Sequence, residues 1–332
     1  MSKGSKEVVK VLEYVKEDGI TQAQLVKVTG LSKSTVSYIL KSMEERGIVR
    51  RAKKGKDLLV WLQRYAPSKP TKLIKIGFIR AIEYSYLLPF SELLREIGYS
   101  LSLKVYENGL SVMNNLLTGK LDMALAPLIT QMLLASSTKG GIRLVAAAGR
   151  GGSSLISTHD RLERMGSVGT TPLSTMELNL LSTVVSEGLS PEALEVTHAR
   201  SGQGLVDLIV SNQVEALSIW EPYPTVLAKM GYKRLVRYSE FFGDFVCCTL
   251  SCRGSCSEDV LQAYIRSFDL FTKRKSEYAK MFSRRIGLPV EVAETAIRDL
   301  EFRPELEKAE IKGILYRSGL WGLIPLVEEV VI

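Results

Sequence analysis

The chain has 332 residues, of which 45% are hydrophobic and 24% charged, with 44 Lys and Arg against 36 Asp and Glu and a formal net charge of +8. These values exclude collagen-like, low-complexity and disordered proteins, and the length predicts two or three folding units. The charged first residues lack the apolar core of a secretory signal. No stretch reaches the roughly 18 uninterrupted apolar residues of a membrane span, so we expect a cytoplasmic protein with no membrane partner.

The positive charge is concentrated near the amino terminus. Residues 1–66 contain 14 Lys and Arg against 7 Asp and Glu, whereas the rest of the chain contains 30 against 29. A small basic unit joined to a nearly neutral body is typical of a nucleic-acid-binding module fused to another domain. The charge distribution alone would also fit a basic surface that is simply exposed to solvent and binds no nucleic acid.

Three helices are predicted at the start of the chain. The first, at about 7–17, is amphipathic, with an apolar face formed by Val8, Val11, Leu12 and Val15. Thr21 suits the N-cap of a second helix over 22–29, which Gly30 can end. Ser32 then caps a third helix that runs to about residue 46. The short Gly-containing connection makes the last two a helix-turn-helix.

The third helix has the composition of a DNA-reading helix. Its apolar positions recur at helical spacing and must face inward, at Val36, Ile39, Leu40 and Met43. The other face carries short polar side chains and lysines, which a major-groove helix needs. The predicted DNA-contacting residues here are Ser32, Lys33, Ser34, Thr35, Ser37, Tyr38 and Lys41.

Residues 48–61 predict a β-hairpin, because two β-prone runs flank a basic turn that contains Gly55. Such a hairpin directly after the third helix is well placed to touch backbone phosphates. The cations that it carries on its first strand and at its tip are Arg50, Arg51, Lys53, Lys54 and Lys56.

The Thr21 cap, the Gly-Leu-Ser turn at 30–32, the Thr-Val-Ser run at 35–37 and the Arg-Gly-Ile-Val exit at 46–49 share the spacing of one family. Over about residues 6–62 the chain resembles the winged helix-turn-helix of bacterial and archaeal transcription regulators. The resemblance implies double-stranded DNA as a partner and a homodimer on a two-fold operator. The alternative is a domain that serves only protein association or dimerisation.

A domain boundary is predicted at residues 63–72, a short linker that contains Pro67, Ser68 and Pro70. The DNA-binding domain then takes residues 1–62. From residue 73 onward strands and helices alternate, which indicates parallel sheets with helices on their faces. The predicted strands are 74–79, 101–106, 123–128, 142–148, 154–157, 167–170, 193–197, 217–220, 234–238 and 245–251.

This alternation predicts a two-lobed domain at 73–332, with a ligand cleft between the lobes. Lobe I takes about residues 73–149 and 245–332, and lobe II takes about 150–244. The predicted fold is therefore multidomain, with an α+β winged helix-turn-helix followed by a two-lobed α/β domain.

Several segments of the second domain match one known fold family. They are Ile-Lys-Ile-Gly-Phe-Ile-Arg-Ala at 74–81, the run at 116–124, residues 142–148, Gly-Thr-Thr-Pro at 169–172 and Ile-Trp-Glu-Pro-Tyr at 219–223. Over about 73–285 the chain resembles the type 2 periplasmic-binding-protein fold, in the branch of nitrate, sulfonate and thiamine-pyrimidine binding proteins. One departure is Gly-Tyr-Ser-Leu at 98–101, where the family has Gly-Leu-Asp-Val.

Two groups of residues are placed to seat an anion. The first follows the first strand of the domain, at the edge where open α/β sheets bind ligands, and comprises Arg80, Glu83, Tyr84 and Ser85. The Arg80 guanidinium suits a carboxylate, sulfonate or phosphate, the alternative being an ordinary surface arginine. The second group opens a helix, and by the resemblance it contacts ligand from lobe II; it comprises Thr170, Thr171, Ser174 and Thr175. Ser174 or Thr175 also suits a plain helix cap.

A third group ends a strand with an aromatic face for a planar ligand, at Trp220, Glu221 and Tyr223, or else locks the lobe core. Arg150, beside two glycines at the expected lobe crossing, is a further candidate. Weaker candidates are His198, Arg200 and Ser201. We therefore expect a small ligand that is anionic or planar and heteroaromatic.

No catalytic or metal site is predicted. The chain has only two histidines, and it lacks nucleophile-elbow, phosphate-loop and paired metal-ligand motifs. Its four cysteines, Cys247, Cys248, Cys252 and Cys256, match neither zinc nor iron–sulfur spacing. Neighbouring residues of a strand also face opposite sides, so we expect free buried thiols, no metal and no cofactor. The alternative for this cluster is a metal site or a redox sensor.

The sequence is thus interpreted as a ligand-responsive transcription regulator and not as an enzyme. The alternative is a cytoplasmic small-molecule binding protein, or an enzyme of thiamine-pyrimidine type, whose first domain serves dimerisation.

Overall fold

The structure is a computed structural model that describes residues 3–54, 57–66, 72–138, 141–243 and 245–332. The chain divides into two compact units, Met1–Lys69 and Pro70–Ile332. Lys56 and the linker residues 67–71 lie outside the described residues, and so do the side chains of Lys53 and Lys54.

The first unit combines three helices with a small antiparallel sheet. Its elements are α1 (Lys3–Val15), β1 (Ile20–Thr21), α2 (Gln22–Thr29), α3 (Lys33–Glu45), β2 (Val49–Lys54) and β3 (Asp57–Leu62). The strands lie in the order β1-β3-β2, so the hairpin follows α3 directly. This arrangement confirms the predicted winged helix-turn-helix fold.

The helix caps lie where the sequence predicted, with side chains at two helix starts and a glycine at one helix end. Thr21 and Gln24 form a capping box, in which the Gln24 N–H donates to Thr21 Oγ1 at 3.1 Å and the Thr21 N–H donates to Gln24 Oε1 at 2.9 Å. Gly30 ends α2 in the left-handed conformation. Ser32 accepts a hydrogen bond from the Thr35 N–H at 3.1 Å and so caps α3. The turn between the two helices is fixed locally.

The core of the first unit lies between its helices and sheet. The side chains in it with no exposed surface are Val8, Leu12, Leu25, Val36, Leu40 and Val60. Burial of each such side chain contributes about 1.5 to 3 kcal/mol. The apolar face of α3 packs into this core, and its polar face is exposed to solvent.

The second unit is an alternation of strands and helices. Its strands are β4 (Lys72–Ile79), β5 (Tyr99–Tyr106), β6 (Met123–Pro127), β7 (Ile142–Ala147), β8 (Gly149–Gly151), β9 (Ser153–Ser157), β10 (Ser167–Thr170), β11 (Glu195–His198), β12 (Ala216–Trp220), β13 (Lys233–Arg237), β14 (Cys248–Arg253) and β15 (Leu300–Phe302). Its helices are α4 (Leu87–Glu96), α5 (Gly109–Leu117), α6 (Leu128–Ser137), α7 (Thr175–Ser186), α8 (Gly202–Val210), α9 (Tyr223–Lys229), α10 (Tyr238–Phe242), α11 (Glu258–Lys273), α12 (Lys275–Arg285), α13 (Val290–Ala296), α14 (Lys308–Arg317) and α15 (Leu326–Val330).

Two five-stranded sheets confirm the predicted two-lobed α/β fold. Lobe I has the order β5-β4-β6-β14-β7 and lobe II the order β11-β10-β12-β9-β13. In each sheet one strand that adjoins a crossing, β14 or β9, runs antiparallel to both of its neighbours. Residues at or just after the carboxyl ends of parallel strands from both sheets, Ile79, Pro127, Thr171 and Trp220, line one cavity, so these strand ends face each other across a cleft.

The crossing contains a pairing that the sequence did not indicate. Strand β8 pairs antiparallel with β15, so a segment near residue 300 returns to the point where the chain leaves lobe I. Tyr238, which was expected to end a strand, instead begins α10. Its hydroxyl lies 2.7 Å from the Ser218 hydroxyl, and the side chain is buried.

Gly19 and Gly30 provide a matched test of the first unit. Gly19 has φ +67° and ψ 173°, a region open essentially to glycine, and a Cβ there would lie 2.5 Å from the Trp61 ring. Gly30 has a similar φ, +68°, but open space around it. We expect Gly19→Ala to cost about 3 kcal/mol and Gly30→Ala about 1 kcal/mol.

Hydrogen exchange over α1 and α2 in the full chain measures this difference. Protected amides should exchange at least ~10-fold faster in the Gly19 variant than in the Gly30 variant. Equal rates would show that the Trp61 ring adjusts without cost.

Candidate functional site

The outer face of α3 is a polar surface of the first unit. All of the residues predicted to contact DNA from this helix are exposed: Ser32, Lys33, Ser34, Thr35, Ser37, Tyr38 and Lys41. The Tyr38 side chain is 77% exposed and lies on this face. This face has the donors and the lysines that a groove-binding helix uses.

The hairpin is fastened to α3 by one ion pair. The Arg51 guanidinium donates from Nε to Glu44 Oε2 at 2.9 Å, and the Arg51 N–H donates to Oε1 at 3.3 Å. The hydrogen bond from the Arg51 side chain lowers the pKa of Glu44. Arg51 is therefore engaged within the unit, whereas Arg50 lies on the other face of the strand.

A cavity of about 370 Å³ lies between the two lobes of the second unit. Of the predicted ligand residues, those that line it are Glu83, Thr171, Ser174, Trp220 and the weaker candidate Arg200. The other lining residues are Ile79, Asn108, Gly109, Leu110, Ser111, Pro127, Thr130, Pro172, Met176, Ala199, Cys247 and Cys248. Most of this surface is apolar.

The start of α5 was missed as part of the site. Asn108 caps this helix by accepting a hydrogen bond from the Ser111 N–H at 2.8 Å. Gly109 lets the start of the helix approach the end of β6 closely, since a Cβ there would lie 2.8 Å from Pro127. The sequence did contain an indication of this part of the site, because an Asn-Gly pair follows the second strand of the domain, at the sheet edge where Arg80 also lies.

Hydrogen bonds from side chains to backbone carbonyls join the two lobes around the cleft. Asn108 donates to the carbonyl of Arg200 at 2.8 Å, and Thr130 donates to the carbonyl of Leu173 at 2.7 Å. The Trp220 indole N–H donates to the carbonyl of Arg80 at 3.1 Å. Thr175 likewise donates to the carbonyl of Cys247 at 3.0 Å. Each bond therefore depends on the identity of its donor side chain but not on that of the residue whose carbonyl accepts.

Several predicted ligand residues lie outside the cavity lining. The Arg80 guanidinium is half exposed and lies 3.8 Å from Glu107, and it donates to the carbonyl of Ile286 at 3.3 Å. Ser85 donates to the carbonyl of Ile82 at 2.6 Å. Tyr84 is fully buried, with no hydrogen-bond partner for its hydroxyl among the residues that the structure describes.

Arg150 is buried in a structural ion pair. Its guanidinium donates to Glu310 from Nη1 at 2.6 Å and from Nη2 at 2.9 Å, and Nη2 also donates to the carbonyl of Glu305 at 3.1 Å. The side chain is bound to α14 and does not line the cavity.

The Gly-Thr-Thr-Pro segment is occupied largely by its own hydrogen bonds. Ser174 accepts from the Glu177 N–H at 3.2 Å and so caps α7, while Thr171 donates to Ser174 at 2.9 Å. Thr175 donates to the carbonyl of Cys247 at 3.0 Å. Thr170 is buried, and its hydroxyl has no partner within the described part of the chain.

Glu221 belongs to a buried charge network behind the cavity. Its Oε1 lies 3.0 Å from Nη2 of Arg234, and Arg234 also pairs with Asp299. Burial raises the pKa of Glu221 to about 7, against the opposing charge of Arg234. Tyr223 packs edge-on against Trp220 with ring centroids 5.7 Å apart and supports that lining residue from behind.

Glu83 is the buried carboxyl of the cavity. It is 5% exposed, and burial raises its pKa more than the neighbouring Tyr84 hydroxyl and Cys248 thiol lower it. A Cβ on Gly149 would lie 2.9 Å from the Glu83 Cβ, so the backbone of the crossing presses against this side chain.

The cysteines occupy two different surroundings. Cys247 and Cys248 both line the cavity, with sulfurs 3.9 Å apart. The expectation that they face opposite sides was wrong, because Cys247 precedes β14 and does not follow the strand alternation. Over the described ranges, no group of three or more metal-ligating side chains is suitably placed to hold an ion.

Known proteins resemble the two units separately. Residues 8–57 match the MarR family, so the first unit contains a MarR-type winged helix-turn-helix DNA-binding domain. No curated protein sequence is significantly similar to the chain.

Solved structures of periplasmic binding proteins match the second unit. The alkanesulfonate-binding protein SsuA from Xanthomonas axonopodis pv. citri, bound to MOPS, is 17% identical over 78% of this chain and 98% of that chain, with a TM-score of 0.65. The periplasmic nitrate-binding protein NrtA from Synechocystis PCC 6803 is 14% identical over 80% and 87%, with a TM-score of 0.67. The ligand-binding component of an ABC-type import system from Staphylococcus aureus, with zinc bound, is 18% identical over 75% and 93%, with a TM-score of 0.66. These likenesses establish the periplasmic-binding-protein fold.

Within the described ranges, no helix is both long enough and apolar enough to span a bilayer.

Cys256 should be the reactive thiol of the native chain. It is half-buried, and a hydrogen bond from the Cys252 thiol lowers its pKa, whereas the other three cysteines are 2 to 4% exposed. We expect a disulfide reagent such as DTNB to modify one thiol per native chain quickly and the other three only after unfolding. Cys256→Ser should abolish the fast phase, and two fast thiols would contradict this assignment.

Glu221 should make the second unit less stable as pH rises. Its pKa of about 7 in the folded chain exceeds its ordinary value near 4.5, so the folded state keeps a proton that the unfolded state has released. Stability is then lost between about pH 4.5 and pH 7, by up to ~3 kcal/mol, and Glu221→Gln should remove this loss.

Urea unfolding of both proteins at several pH values measures the difference. Glu215→Gln is the control of opposite sign, because a hydrogen bond from the Gly166 N–H lowers the pKa of Glu215. Parallel pH profiles for the parent and the Glu221 variant would show that Glu221 stays ionised in the folded chain.

Proposed function

We propose that this protein is a transcription regulator that binds duplex DNA through its first unit and a small organic ligand in the cleft of its second unit. The observation that carries the proposal is the joining, in one chain, of a MarR-type DNA-binding domain with a closed interlobe cavity of the periplasmic-binding-protein fold. We assign DNA binding to residues 1–62, connection to 63–72 and ligand binding to 73–332.

The proposed DNA contacts follow the exposed face of α3 and the basic hairpin. Thr35 and Tyr38 would contact base edges, and the hairpin cations would contact phosphates. The protein would act as a cytoplasmic homodimer on a two-fold site, as is usual for such domains.

The cavity supports a ligand with a planar, mostly apolar body. Trp220 offers a ring face or edge, Met176 and Leu110 add apolar contact, and about 370 Å³ suits a molecule of one or two rings. Thr171 and Ser174 remain the proposed contacts for a polar substituent. An inorganic anion fits this apolar lining poorly.

Ligand and DNA binding would be coupled through cleft closure. A ligand that prefers the closed lobes shifts the population toward them, and any difference in DNA affinity between open and closed chains then becomes a response. A binding protein or enzyme whose first unit only dimerises would show no such response and no operator binding.

Salt-dependent DNA binding tests the first half of this proposal. Replacement of Lys53, Lys54 and Lys56 by Gln should flatten the slope of log affinity against log salt by up to ~3, because fewer counterions are released from phosphates. Fluorescence anisotropy with duplex DNA from about 50 to 200 mM salt measures this slope.

The matched control carries the same loss of charge on α1, at Lys3, Lys6 and Lys10, which are exposed. This control should keep the parental slope, whereas Thr35 or Tyr38 substitutions should change the preferred sequences. An unchanged slope in the hairpin variant would remove the hairpin from the DNA interface.

A further inference from the structure

Leu173 is a strained residue beside the cleft. It lies between β10 and α7, directly before the cap residue Ser174, and its φ is +54°. This left-handed conformation is unfavourable for a residue with a Cβ, and leucine adopts it less readily than asparagine or aspartate. The side chain is 50% exposed, so burial in the core does not compensate for the strain. The compensation has to come from the hydrogen bonds of the Leu173 backbone.

Side chains from both lobes bind the backbone of Leu173. Its N–H donates to Glu177 Oε2 at 2.8 Å, and its carbonyl accepts from Thr130 Oγ1 at 2.7 Å. Glu177 belongs to α7 of lobe II, whereas Thr130 belongs to α6 of lobe I. The first bond is internal to lobe II, and the second exists only while the lobes are in contact. One of the two backbone contacts of the strained residue therefore depends on closure of the cleft.

Glu177 is itself held in place on lobe II. Its Oε1 lies 2.6 Å from Nε2 of His198 at the end of β11, and its N–H donates to Ser174 Oγ at 3.2 Å. The carboxylate thus anchors the Leu173 N–H from a fixed position. With the N–H anchored, a change of φ at Leu173 swings its carbonyl and leaves the N–H in place.

We propose that the turn at Leu173 is a strained latch that regulates closure of the cleft. The positive φ aims the carbonyl at Thr130 in the closed lobes, and in the open lobes, where this bond is absent, the residue relaxes to a negative φ. The strain then opposes closure and keeps part of the unliganded chain open, so that a ligand has a population to shift. This inference rests on the proposed function, because it gives the same cleft a regulating element.

Glycine at position 173 tests the latch, because glycine adopts a positive φ without strain. In the full chain without ligand, Leu173→Gly should raise the ratio of closed to open lobes at least ~3-fold. Leu173→Ala also removes the side chain beyond Cβ but keeps the strain, so it should keep the parental ratio. Equal ratios in the glycine and alanine variants would overturn the proposal.

The Trp220 indole reports the state of the lobes, since its N–H donates to the Arg80 carbonyl across the cleft at 3.1 Å. The chain has three tryptophans, so Trp220→Phe assigns the Trp220 resonance in the 19F NMR spectrum of the 5-fluorotryptophan protein. The intensities of this resonance measure the ratio when both states are populated. Exchange of the indole N–H with deuterium measures it when the chain is almost wholly closed.

Asn212 supplies the matched control. It has φ +56°, follows α8 in the same lobe and does not line the cavity. Asn212→Gly makes the same kind of backbone change away from the turn, so it should leave the ratio unchanged. A rise as large as that of Leu173→Gly would contradict a local latch.

A second variant at the latch covers the case in which the glycine variant fails to fold. Leu173→Asn should also raise the ratio, because asparagine adopts the left-handed region more readily than leucine. A folded asparagine variant with the parental ratio would contradict the latch.

The partner on lobe I supplies a further test. Thr130→Val removes the hydroxyl donor at nearly constant volume, so a positive φ at Leu173 no longer gains a bond on closure. In this background the effect of Leu173→Gly should fall below ~2-fold. A gain as large as in the parent would show that the strain does not serve the bond to Thr130, and it would refute the latch.

DNA binding by the same preparations separates this inference from the proposed function. A chain that binds duplex DNA but has equal ratios in the glycine and alanine variants refutes the latch alone. A chain that shows the expected ratios but binds no DNA refutes the regulator and leaves the latch intact.

Discussion

One carboxylate, that of Glu310, holds together the two passages of the chain between the lobes. Its Oε1 accepts hydrogen bonds from Arg150 on the outgoing passage at 2.6 Å and from the Val246 N–H on the returning passage at 2.9 Å. Arg150 and Val246 also form a β-bridge with each other. Removing either charged partner would leave a buried charge uncompensated, so every arrangement of the lobes has to preserve this point.

With that point fixed, closure of the cleft depends in part on hydrogen bonds that run from lobe to lobe. Those donated by Asn108, Thr130, Thr175 and Trp220 are each of the kind that contributes about 1 kcal/mol. Such a sum is small beside the affinity of a good ligand. A molecule in the cavity can therefore decide whether the lobes stay closed, which is the property that a sensor requires.

Much of the fold could be predicted from the sequence because it depends on interactions between residues that are close together in the chain. The caps at Thr21 and Ser32 and the inward face of α3 follow from hydrogen bonding and helical spacing within a few residues. The strands of the second unit follow from short apolar runs between helical segments. The β8–β15 pair was invisible because its strands are three residues long and lie about 150 residues apart.

The ligand site was harder to predict from the sequence, because the orientation of its charged side chains depends on partners that are distant in the chain. Arg150 looked like a ligand residue because Glu310, 160 positions away, could not be paired with it from sequence. Arg80 was likewise placed at the right edge, yet its guanidinium turns toward Glu107 and Ile286. The orientation of Cys247 was predicted wrongly because the alternation of side chains along a strand was assumed to include this residue, whereas β14 begins at Cys248.

The Arg51–Glu44 pair constrains the DNA interface proposed for the first unit. Because both the side chain and the backbone of Arg51 bind Glu44 of α3, the pair opposes independent tilting of the hairpin and the helix. In the proposed complex, the depth of the helix in a groove and the distance of the hairpin from the flanking backbone would then change together. Sites that differ in groove width would be discriminated through the same motion that discriminates their bases.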